Sequence, residues 1–325
     1  MADKKIKKDI TFISTVYNEK DTLFPFLRSI SAQTVLPSQI IIVDGGSEDG
    51  TYQSLKTYFD GFDPRVEVKV MQRAGAGISE GRNIAISQAR GRLICVSDGG
   101  CIIDRRWLDS ISCAAAKKVV AGGFSRAWAR SFLQKCLASA ILPLPGQIKE
   151  ESFMPSSRNI CFYKSAWEEA GGYPQEMDFG EDMRFNFNLK NLGFSIRFIP
   201  QAVVYWKMRD RLAAVGRQFF RYAKGDAIGG MYKARHIVRV ASLAAFAAII
   251  AFSVLVSPWV LLAFLPLGAA YCYKAMSRIP YVFRKESLPK KAASALFMPV
   301  LLVLIDAAKL AGYAYGLALR KKTSK

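Results

Sequence analysis

The sequence predicts an α/β domain with an open, mostly parallel sheet flanked by helices, followed by C-terminal transmembrane helices. Two observations predict the sheet. Short apolar runs alternate with amphipathic segments over residues 10–98, and the run at residues 39–43 has the apolar composition of a strand buried on both faces. A third observation predicts the membrane part: residues 240–273 contain no charged side chain.

The elements of the α/β part follow one another at the spacing of βαβ units. Strands are predicted at residues 10–14, 39–43, 66–71 and 93–97, and helices at 23–33, 51–59 and 81–90. In such sheets ligands bind beyond the carboxyl ends of the strands. Asp44 and Asp98 follow two of these strands, so we expect both at the ligand-binding edge. The pattern at residues 122–201 is less regular, and 143–146 and 150–157 are predicted to be mobile loops.

The apolar C-terminal part is too long for a single span. As one helix, residues 240–273 would extend about 51 Å, against a hydrocarbon core of about 30 Å. Ser257-Pro258 lies near the middle, where proline breaks a helix, so we predict two short spans joined by a tight turn. Residues 292–319 are a third candidate, interrupted by Asp306 and Lys309, which we expect to pair with each other.

Charge and cysteine usage favour the cytoplasmic face of a membrane. The net charge is +20, and residues 274–291 carry six Lys/Arg and one Glu, as cytoplasmic loops facing anionic lipid do. No nucleic-acid motif accompanies the charge, so membrane lipids are the expected partner and nucleic acid is not. The six cysteines lack metal-site spacing and are expected to be reduced thiols. The charged start of the chain is unlike a signal peptide, which predicts a cytoplasmic catalytic domain at the inner (plasma) membrane.

We therefore predict four regions. Residues 1–206 form the α/β domain, 207–239 a basic juxtamembrane helical segment, 240–319 two to three membrane helices, and 320–325 a basic tail. The one histidine, His236, lies among basic residues before the first span, and we expect it to have a structural role at headgroup level.

A series of motifs occurs along the first 226 residues in a fixed order. They are Thr-Val-Tyr-Asn-Glu at 15–19, Val-Asp-Gly-Gly-Ser-Glu-Asp-Gly-Thr at 43–51, Gly-Arg-Asn-Ile-Ala at 81–85, Ser-Asp-Gly-Gly-Cys at 97–101, Gly-Gly-Tyr-Pro at 171–174, Gly-Glu-Asp at 180–182 and Arg-Gln-Phe-Phe-Arg-Tyr at 217–222. Together they resemble family 2 glycosyltransferases, and the last is similar to the Q-x-x-R-W element of membrane-embedded members. The resemblance implies a GT-A nucleotide-sugar-binding fold.

The resemblance also implies how the nucleotide-sugar donor is held. The implied donor-binding residues are Thr15, Tyr17, Glu19, Asp44, Arg82, Asn83 and Asp98. Tyr17 and Asp44 would hold the nucleoside, and Asp98 would ligate Mn²⁺ or Mg²⁺ at the pyrophosphate. The family usually carries a second acidic residue in a D-x-D pattern, and Gly100 takes that position here. Metal binding then rests on Asp98 alone, recruits Asp104, or is weak. Gly45 likewise replaces an acidic residue common in the family.

The catalytic residues implied by the resemblance lie further along the chain. Asp182 would deprotonate the acceptor hydroxyl in an inverting displacement, and Glu181 would shape the acceptor site. Arg221 would stabilise the leaving diphosphate. The residues expected to shape the donor and acceptor pocket are Arg158, Gln218 and Tyr222. The simpler alternatives are an acidic helix N-terminus for the carboxylates, lipid-headgroup contact for Arg221 and an exposed loop position for Arg158.

Three functions fit these motifs. The first is a single-addition sugar transferase acting on a lipid-linked or polysaccharide acceptor. The second is a processive polysaccharide synthase, which the motif at 217–222 favours but the small number of spans does not. The third is a non-catalytic nucleotide-sugar-binding membrane protein, suggested by Gly100 and opposed by the presence of Asp182 and Arg221.

Overall fold

The structure, a computed structural model, describes residues 4–323. Residues 1–3, at the start of the first predicted region, and 324–325, at the end of the predicted basic tail, lie outside the described residues. The chain divides into two compact units. The first comprises Met1–Trp128 and Pro145–Lys207, and the second Ala129–Leu144 and Met208–Lys325. The predicted region boundaries at residues 239 and 319 stay predictions.

The first unit is built around an eight-stranded sheet. In chain order the strands are β1 Lys5–Val16, β2 Val35–Asp44, β3 Glu67–Gln72, β4 Leu93–Val96, β5 Cys101–Ile103, β6 Val119–Trp128, β7 Ile160–Tyr163 and β8 Ser195–Lys207. Their order across the sheet is β3-β2-β1-β4-β7-β6-β8-β5. The first four are mutually parallel, β7 runs antiparallel to β4 and β6, and β5 runs antiparallel to β8. The predicted, mostly parallel α/β sheet is confirmed.

Twelve α-helices accompany these strands in the described residues. They are α1 Lys20–Ser31, α2 Thr51–Asp60, α3 Ile78–Ser87, α4 Trp107–Ala114, α5 Phe132–Ile141, α6 Lys164–Glu169, α7 Glu181–Asn191, α8 Leu212–Ile228, α9 Lys233–Leu255, α10 Phe264–Met276, α11 Ile279–Val282 and α12 Leu288–Thr323. Helices α5 and α8 to α12 belong to the second unit, and the others to the first.

Strand β2 shows why the sheet has two covered faces. Ile40 and Ile42 belong to one buried apolar cluster, whereas Ile41 and Val43 belong to another. Successive side chains of a strand point to opposite faces, so a strand that is apolar throughout needs an apolar layer on both sides. The prediction drawn from the continuous apolar run is confirmed.

The segment predicted to be less regular contains three of the eight strands. A register shift between Gly123 and Phe124 interrupts the pairing of β6 with β8, and β7 is only four residues long. Three short 3₁₀ turns lie in the first half of this segment, at Pro145–Gln147, Glu150–Ser152 and Ser157–Asn159. Short strands, glycines and irregular pairing leave little periodicity in the sequence, which is why these elements were not predicted.

The second unit contains the apolar helices. Two helices are long and apolar enough to cross a membrane, by length and composition only: Lys233–Leu255 and Leu288–Lys321. Helix α9 ends two residues before Ser257, so the predicted break at Ser257-Pro258 is confirmed. The apolar stretch after this break forms a 3₁₀ turn and the 13-residue α10. By itself α10 is shorter than the roughly 20 residues that a span requires.

A polar cluster lies within the second unit. Asp306 accepts hydrogen bonds from Nε of Arg239 at 2.7 Å and from the hydroxyl of Tyr271 at 2.8 Å. His236 is buried, with Nε2 3.1 Å from a carboxylate oxygen of Asp226 and Nδ1 3.0 Å from Nη1 of Arg239. We name Arg239, Asp306, Tyr271, His236 and Asp226 the Arg239 cluster.

One prediction about charged residues in this unit was wrong. Asp306 pairs with Arg239 and not with Lys309, whose Nζ lies 5.0 Å from the centre of the Phe219 ring. The ring of His236 stacks on Tyr313 with the centroids 3.8 Å apart, in keeping with the expected structural role, and its place at headgroup level stays a prediction. Spacing along one helix could not reveal partners that come from other helices.

Candidate active site

A cavity of about 220 Å³ lies at the carboxyl ends of β1, β2 and β4. The parallel register brings these ends to one edge, with Val16 opposite Asp44 and Ile13 opposite Val96. Among the residues that line the cavity are Thr15, Tyr17, Glu19, Gly45, Asp98 and Gly100. Four of the residues predicted to bind the donor therefore share one cavity at the edge where ligands of such sheets bind.

Asp44 ends β2 and is fully buried. Its Oδ1 accepts hydrogen bonds from the backbone N–H groups of Gly46 at 3.0 Å and Ser47 at 2.8 Å, and from Nε2 of Gln72 at 3.0 Å. Its Oδ2 is buried and has no hydrogen-bond partner in the protein. A buried carboxylate oxygen is costly to leave unsatisfied, so this atom is suited to accept an N–H or O–H from a ligand.

Arg82 connects two acidic residues that are far apart in the sequence. Arg82 is 1% exposed and lies in the middle of α3. Nη2 donates to Oδ1 of Asp98 at 2.8 Å, and Nη1 donates to Oε1 of Glu181 at 2.7 Å. We name Arg82, Asp98 and Glu181 the Arg82 cluster. Arg82 thus contacts both carboxylates from inside the protein, and the donor contact that the resemblance implied for it stays a prediction.

The Arg82 cluster carries more negative than positive charge. Burial, and after it the nearby charge of Asp182, raise the pKa of Glu181 to about 7 against the opposing effect of Arg82. One guanidinium serves two carboxylates, so full ionisation of both leaves a net negative charge in a buried place. Asp98, with a quarter of its side chain exposed, is the member that reaches the cavity.

Asp182 is the second residue of α7, and each of its carboxylate oxygens accepts a hydrogen bond that holds the side chain in place. Oδ2 accepts from the hydroxyl of Ser156 at 2.9 Å, and Oδ1 accepts from its neighbour's backbone, the N–H of Met183, at 2.8 Å. The helix starts after Gly180, whose φ of +78° is a left-handed conformation that favours glycine. The turn fixes where Glu181 and Asp182 lie, because both follow it directly.

The loop at residues 155–159 reaches both carboxylate positions. Ser156 donates to Asp182, and Nε of Arg158 lies 3.9 Å from Oδ2 of Asp98. The guanidinium of Arg158 lies 3.9 Å from the ring centre of Trp206, and its side chain is 15% exposed. The structure therefore brings Asp98, Asp182 and Arg158 together around this loop, and the exposed-loop alternative for Arg158 is wrong.

Asn83 is occupied by contacts within the protein. Its Nδ2 donates to the carbonyl of Tyr173 at 2.8 Å, and its Oδ1 accepts from the backbone N–H of Tyr173 at 2.9 Å and from Nε1 of Trp167 at 2.8 Å. These contacts hold the Gly-Gly-Tyr-Pro turn against α3. The donor contact implied for Asn83 stays a prediction.

The last motif lies on α8 in the second unit. Gln218 is buried; its Nε2 donates to the hydroxyl of Tyr222 at 3.0 Å, and its Oε1 accepts from Nε of Arg209 at 3.4 Å. Arg221 is exposed on the same helix. The roles implied for Gln218, Arg221 and Tyr222 stay predictions.

For a divalent metal the cavity offers carboxylate oxygen. No group of three or more His, Cys, Asp or Glu that could hold a metal ion occurs among residues 4–323. Mg²⁺ and Mn²⁺ at nucleotide sites are held by one or two carboxylates, with phosphate oxygens and waters completing the shell. Asp98 and Glu19 both line the cavity and provide such a pair, whereas Asp104 is not among the lining residues.

Sequence reasoning missed several residues of this site. Trp206 contacts Arg158, yet it belongs to no motif that marks it. Tyr173 was seen only as part of a turn motif. Its buried ring stacks on Phe185 with centroids 4.2 Å apart, and its hydroxyl is 2.8 Å from that of Ser157.

Two family profiles match most of the chain. The profile described as glycosyl transferase family 2 matches residues 11–126, and the profile described as glycosyl transferase family group 2 matches residues 119–305. The first match covers β1 to β4 and the cavity. The second covers the Arg158 loop, Glu181, Asp182 and the motif on α8.

Curated relatives show moderate similarity. Glycosyltransferase AglE of Haloferax volcanii is 22% identical over 276 residues, covering 83% of this chain and 85% of the relative. Succinoglycan biosynthesis protein ExoO of Rhizobium meliloti is 28% identical, covering 54% of this chain and 52% of the relative. Poly-β-1,6-N-acetyl-D-glucosamine synthase of Staphylococcus aureus is 24% identical, covering 66% and 54%. The chain thus spans about half the length of the last two.

Solved structures share the fold. A mannosyltransferase from Pyrobaculum calidifontis, in complex with GDP-Man and Mn²⁺, has a TM-score of 0.56 at 16% identity and covers 98% of this chain and 88% of that chain. S. aureus TarS in complex with UDP-GlcNAc has a TM-score of 0.50 at 15% identity and covers 97% and 92%. The likeness establishes the GT-A fold of the chain.

Proposed function

The chain belongs to family 2 of the glycosyltransferases, enzymes that transfer sugars from nucleotide sugars, and on this premise we propose its finer activity. The protein is an inverting transferase that adds a sugar to a hydroxyl of a lipid-linked or polysaccharide acceptor at the cytoplasmic face of the inner membrane. The observation that carries the proposal is the Arg82 cluster, in which one buried arginine joins Asp98 at the cavity to the residue preceding Asp182.

The donor binds in the cavity at the strand ends. Tyr17, whose ring is largely exposed at this edge, contacts the nucleoside. The Oδ2 of Asp44 accepts a hydrogen bond from it, which satisfies the buried oxygen. Asp98 would hold Mn²⁺ or Mg²⁺, and the cation would neutralise charge on the leaving group. Arg82 and Asn83 support these residues from inside the protein.

Asp182 is the general base. Its carboxylate takes the proton of the acceptor hydroxyl while the acceptor oxygen forms a bond to the anomeric carbon. The bond from that carbon to the diphosphate oxygen breaks, and the nucleoside diphosphate leaves on the opposite side of the sugar. The hydrogen bonds from Ser156 and Met183 fix the orientation of the carboxylate, as proton transfer in a defined direction requires.

Other site residues have assisting roles. Glu181 shapes the acceptor side through its contact with Arg82, and Arg158 contributes positive charge beside Asp98. On α8, Arg221 stabilises the departing diphosphate, and Gln218 and Tyr222 contribute to the acceptor pocket. For the α8 residues the support is the resemblance of the motif at residues 217–222.

The acceptor and the location are inferred from the second unit and from the relatives. Two helices of sufficient length and apolar character support association with a membrane. The basic residues at 274–291 favour the cytoplasmic side. Two relatives are named for succinoglycan biosynthesis and for synthesis of poly-β-1,6-N-acetyl-D-glucosamine, which supports a glycan intermediate as the acceptor class.

Replacement of the base tests the proposal. With the purified full chain and a panel of labelled UDP- and GDP-sugars, we expect Asp182→Asn to lower the rate of transfer at least 100-fold, since a general base contributes about 10²–10⁴. Thermal stabilisation by the same nucleotide sugars should be unchanged, because Asp182 acts after donor binding.

The matched control is Asp60→Asn, which removes an exposed carboxylate at the end of α2 and should leave the rate unchanged. Full transfer by a folded Asp182→Asn variant would exclude the base role. Analysis of product length in the same assay separates single addition from processive synthesis, because long polymers at low turnover would contradict single addition.

A further inference from the structure

Position 100 shows where a second metal carboxylate comes from. The family's D-x-D pattern would place an acidic side chain there, and this chain has Gly100. A Cβ built on Gly100 would lie 3.2 Å from Oε1 and 3.3 Å from Oε2 of Glu19. The carboxylate of Glu19 therefore fills the space that an acidic side chain at position 100 would enter.

From this geometry we infer that Glu19, in the turn between β1 and α1, is the second carboxylate ligand of the divalent cation held by Asp98. The inference deepens the proposed function and rests on it. It assigns Glu19 to the cation rather than to the nucleoside. The carboxylate lost at position 100 is replaced by one from a different element.

Glu19 is held rigidly in this position. Its backbone N–H donates to the Thr51 hydroxyl at 3.0 Å, and its carbonyl accepts from the N–H groups of Thr22 and Leu23, both at 2.8 Å. The Thr22 hydroxyl also donates to Oε2 of Glu19, which orients the carboxylate. A ligand whose backbone and side chain are both fixed loses little conformational entropy when it binds a cation.

The charges around Asp98 explain why a second carboxylate is needed. Arg82 donates to one oxygen of Asp98, and Nε of Arg158 lies 3.9 Å from the other. With all four groups ionised, Glu181 balances Arg82 and Asp98 balances Arg158, so their charges sum to zero. A divalent cation is not attracted to a neutral site that contains two guanidinium groups. Glu19 gives the cavity a net negative charge.

Glu19 and Asp98 also share surroundings. Both line the same cavity together with Gly100. The thiol of Cys101, which follows Gly100, is close enough to both carboxylates and to Arg158 for all three charges to influence it. The two carboxylates thus face one space that is open to phosphate oxygens of a donor, the arrangement in which Mg²⁺ and Mn²⁺ are held.

The inference is tested by removing the carboxylate at position 19, restoring one at position 100, and measuring Mn²⁺ binding, which does not depend on catalysis. Mn²⁺ is titrated into the full chain in detergent in the presence of UDP or GDP, and free Mn²⁺ is followed by electron paramagnetic resonance. We expect Glu19→Ala to weaken Mn²⁺ binding roughly 10–100-fold, the scale on which metal sites respond to loss of a supporting group. The double variant Glu19→Ala/Gly100→Asp moves the carboxylate from position 19 to position 100 and should recover most of the affinity for Mn²⁺.

Position 100 can accept the new side chain, because its φ lies outside the left-handed range and the replaced Glu19 leaves space. Glu168→Ala is the matched control, since it removes an exposed carboxylate of the same unit and should leave Mn²⁺ binding unchanged. Unaltered Mn²⁺ affinity in Glu19→Ala would overturn the inference. So would an equal loss of UDP or GDP affinity measured without metal, which would assign Glu19 to the nucleotide.

Failure of the inference about Glu19 can be distinguished from failure of the proposed function. If Asp98→Asn abolishes Mn²⁺ binding and Glu19→Ala does not change it, the inference fails while the proposed metal site at Asp98 stands. If the wild-type chain transfers sugar at full rate in EDTA and binds no Mn²⁺, both the inference and the metal role of Asp98 fail, whereas the role of Asp182 is untouched.

Discussion

Each unit contains an arginine that joins residues from distant parts of the chain, and the two clusters differ in how their carboxylates are paired. In the Arg82 cluster one fully buried guanidinium serves two carboxylates, Asp98 and Glu181. In the Arg239 cluster the guanidinium pairs with Asp306 and contacts the imidazole of His236. Asp98 also reaches a cavity. The comparison teaches that a cluster in which two carboxylates share one guanidinium beside a cavity is suited to ligand chemistry. Carboxylates that each have a partner of their own, as Asp226 has His236 and Asp306 has Arg239, are suited to packing between helices.

The largest effect is expected from breaking the Arg82 cluster. Replacing Arg82 by Met leaves the buried Glu181 and the partly buried Asp98 without their cation, and breaking a buried pair costs about 3–5 kcal/mol. We expect the free energy of unfolding to fall by this amount in urea titrations monitored by tryptophan fluorescence, with loss of sugar transfer. Arg90→Met is the control, because Arg90 pairs with Glu67 at the surface. A variant at position 82 as stable as the wild type would contradict the structural part of the comparison.

A smaller effect is expected from the Arg239 cluster. Asp306→Asn weakens the contacts with Arg239 and Tyr271, and loss of a charged hydrogen bond costs about 1.5–3 kcal/mol. The melting temperature should fall, while the transfer rate per folded molecule stays that of the wild type. Parallel thermal melts and rate measurements on the same preparation check both. A fall in rate without a fall in melting temperature would place the Arg239 cluster in the chemistry and break the comparison.

The smallest effect concerns the pH dependence of the Arg82 cluster. The folded state raises the pKa of Glu181 from 4.5 to about 7, so the folded protein holds a proton that the unfolded chain releases. The free energy of unfolding therefore falls as the pH rises from the unfolded pKa of 4.5 to the folded pKa of about 7. Glu181→Gln cannot lose this proton. Between pH 5 and pH 7.5 we expect the melting temperature of the wild type to fall relative to that of this variant. If the two curves of melting temperature against pH run parallel, Glu181 ionises normally.

The sequence allowed the parallel half of the sheet to be predicted, because its signal is local. The continuous apolar run of β2 and the alternation with α1 to α3 are properties of neighbouring residues. The break after Leu255 was predicted for the same reason, since proline acts on its own helix. By contrast, β6 to β8 are stabilised by pairing between residues 35 or more positions apart, such as Ala121 with Cys161, which periodicity does not record.

The candidate site divides in the same way. Asp98, Glu181 and Asp182 were found because motifs mark them, and their convergence follows from the sheet edge and the turn at Gly180. The contacts of Ser156 with Asp182 and of Glu19 with the space at Gly100 depend on side-chain geometry across folded elements. In the sequence, Gly100 indicates a missing metal ligand. Only the position of Glu19 in the structure suggests that another carboxylate takes the place of that ligand.

Helix α5 has a consequence for how the protein can be made and shortened. It is encoded in the middle of the first unit but packs with the last helices: the ring of Phe132 contacts those of Phe283 and Phe297, and Lys135 pairs with Glu286. During synthesis α5 therefore leaves the ribosome about 150 residues ahead of its partners. A chain ending after Lys207 would expose the apolar face of α5 to solvent. A soluble version therefore requires polar residues in place of the apolar ones on this face, in addition to removal of residues 208–325.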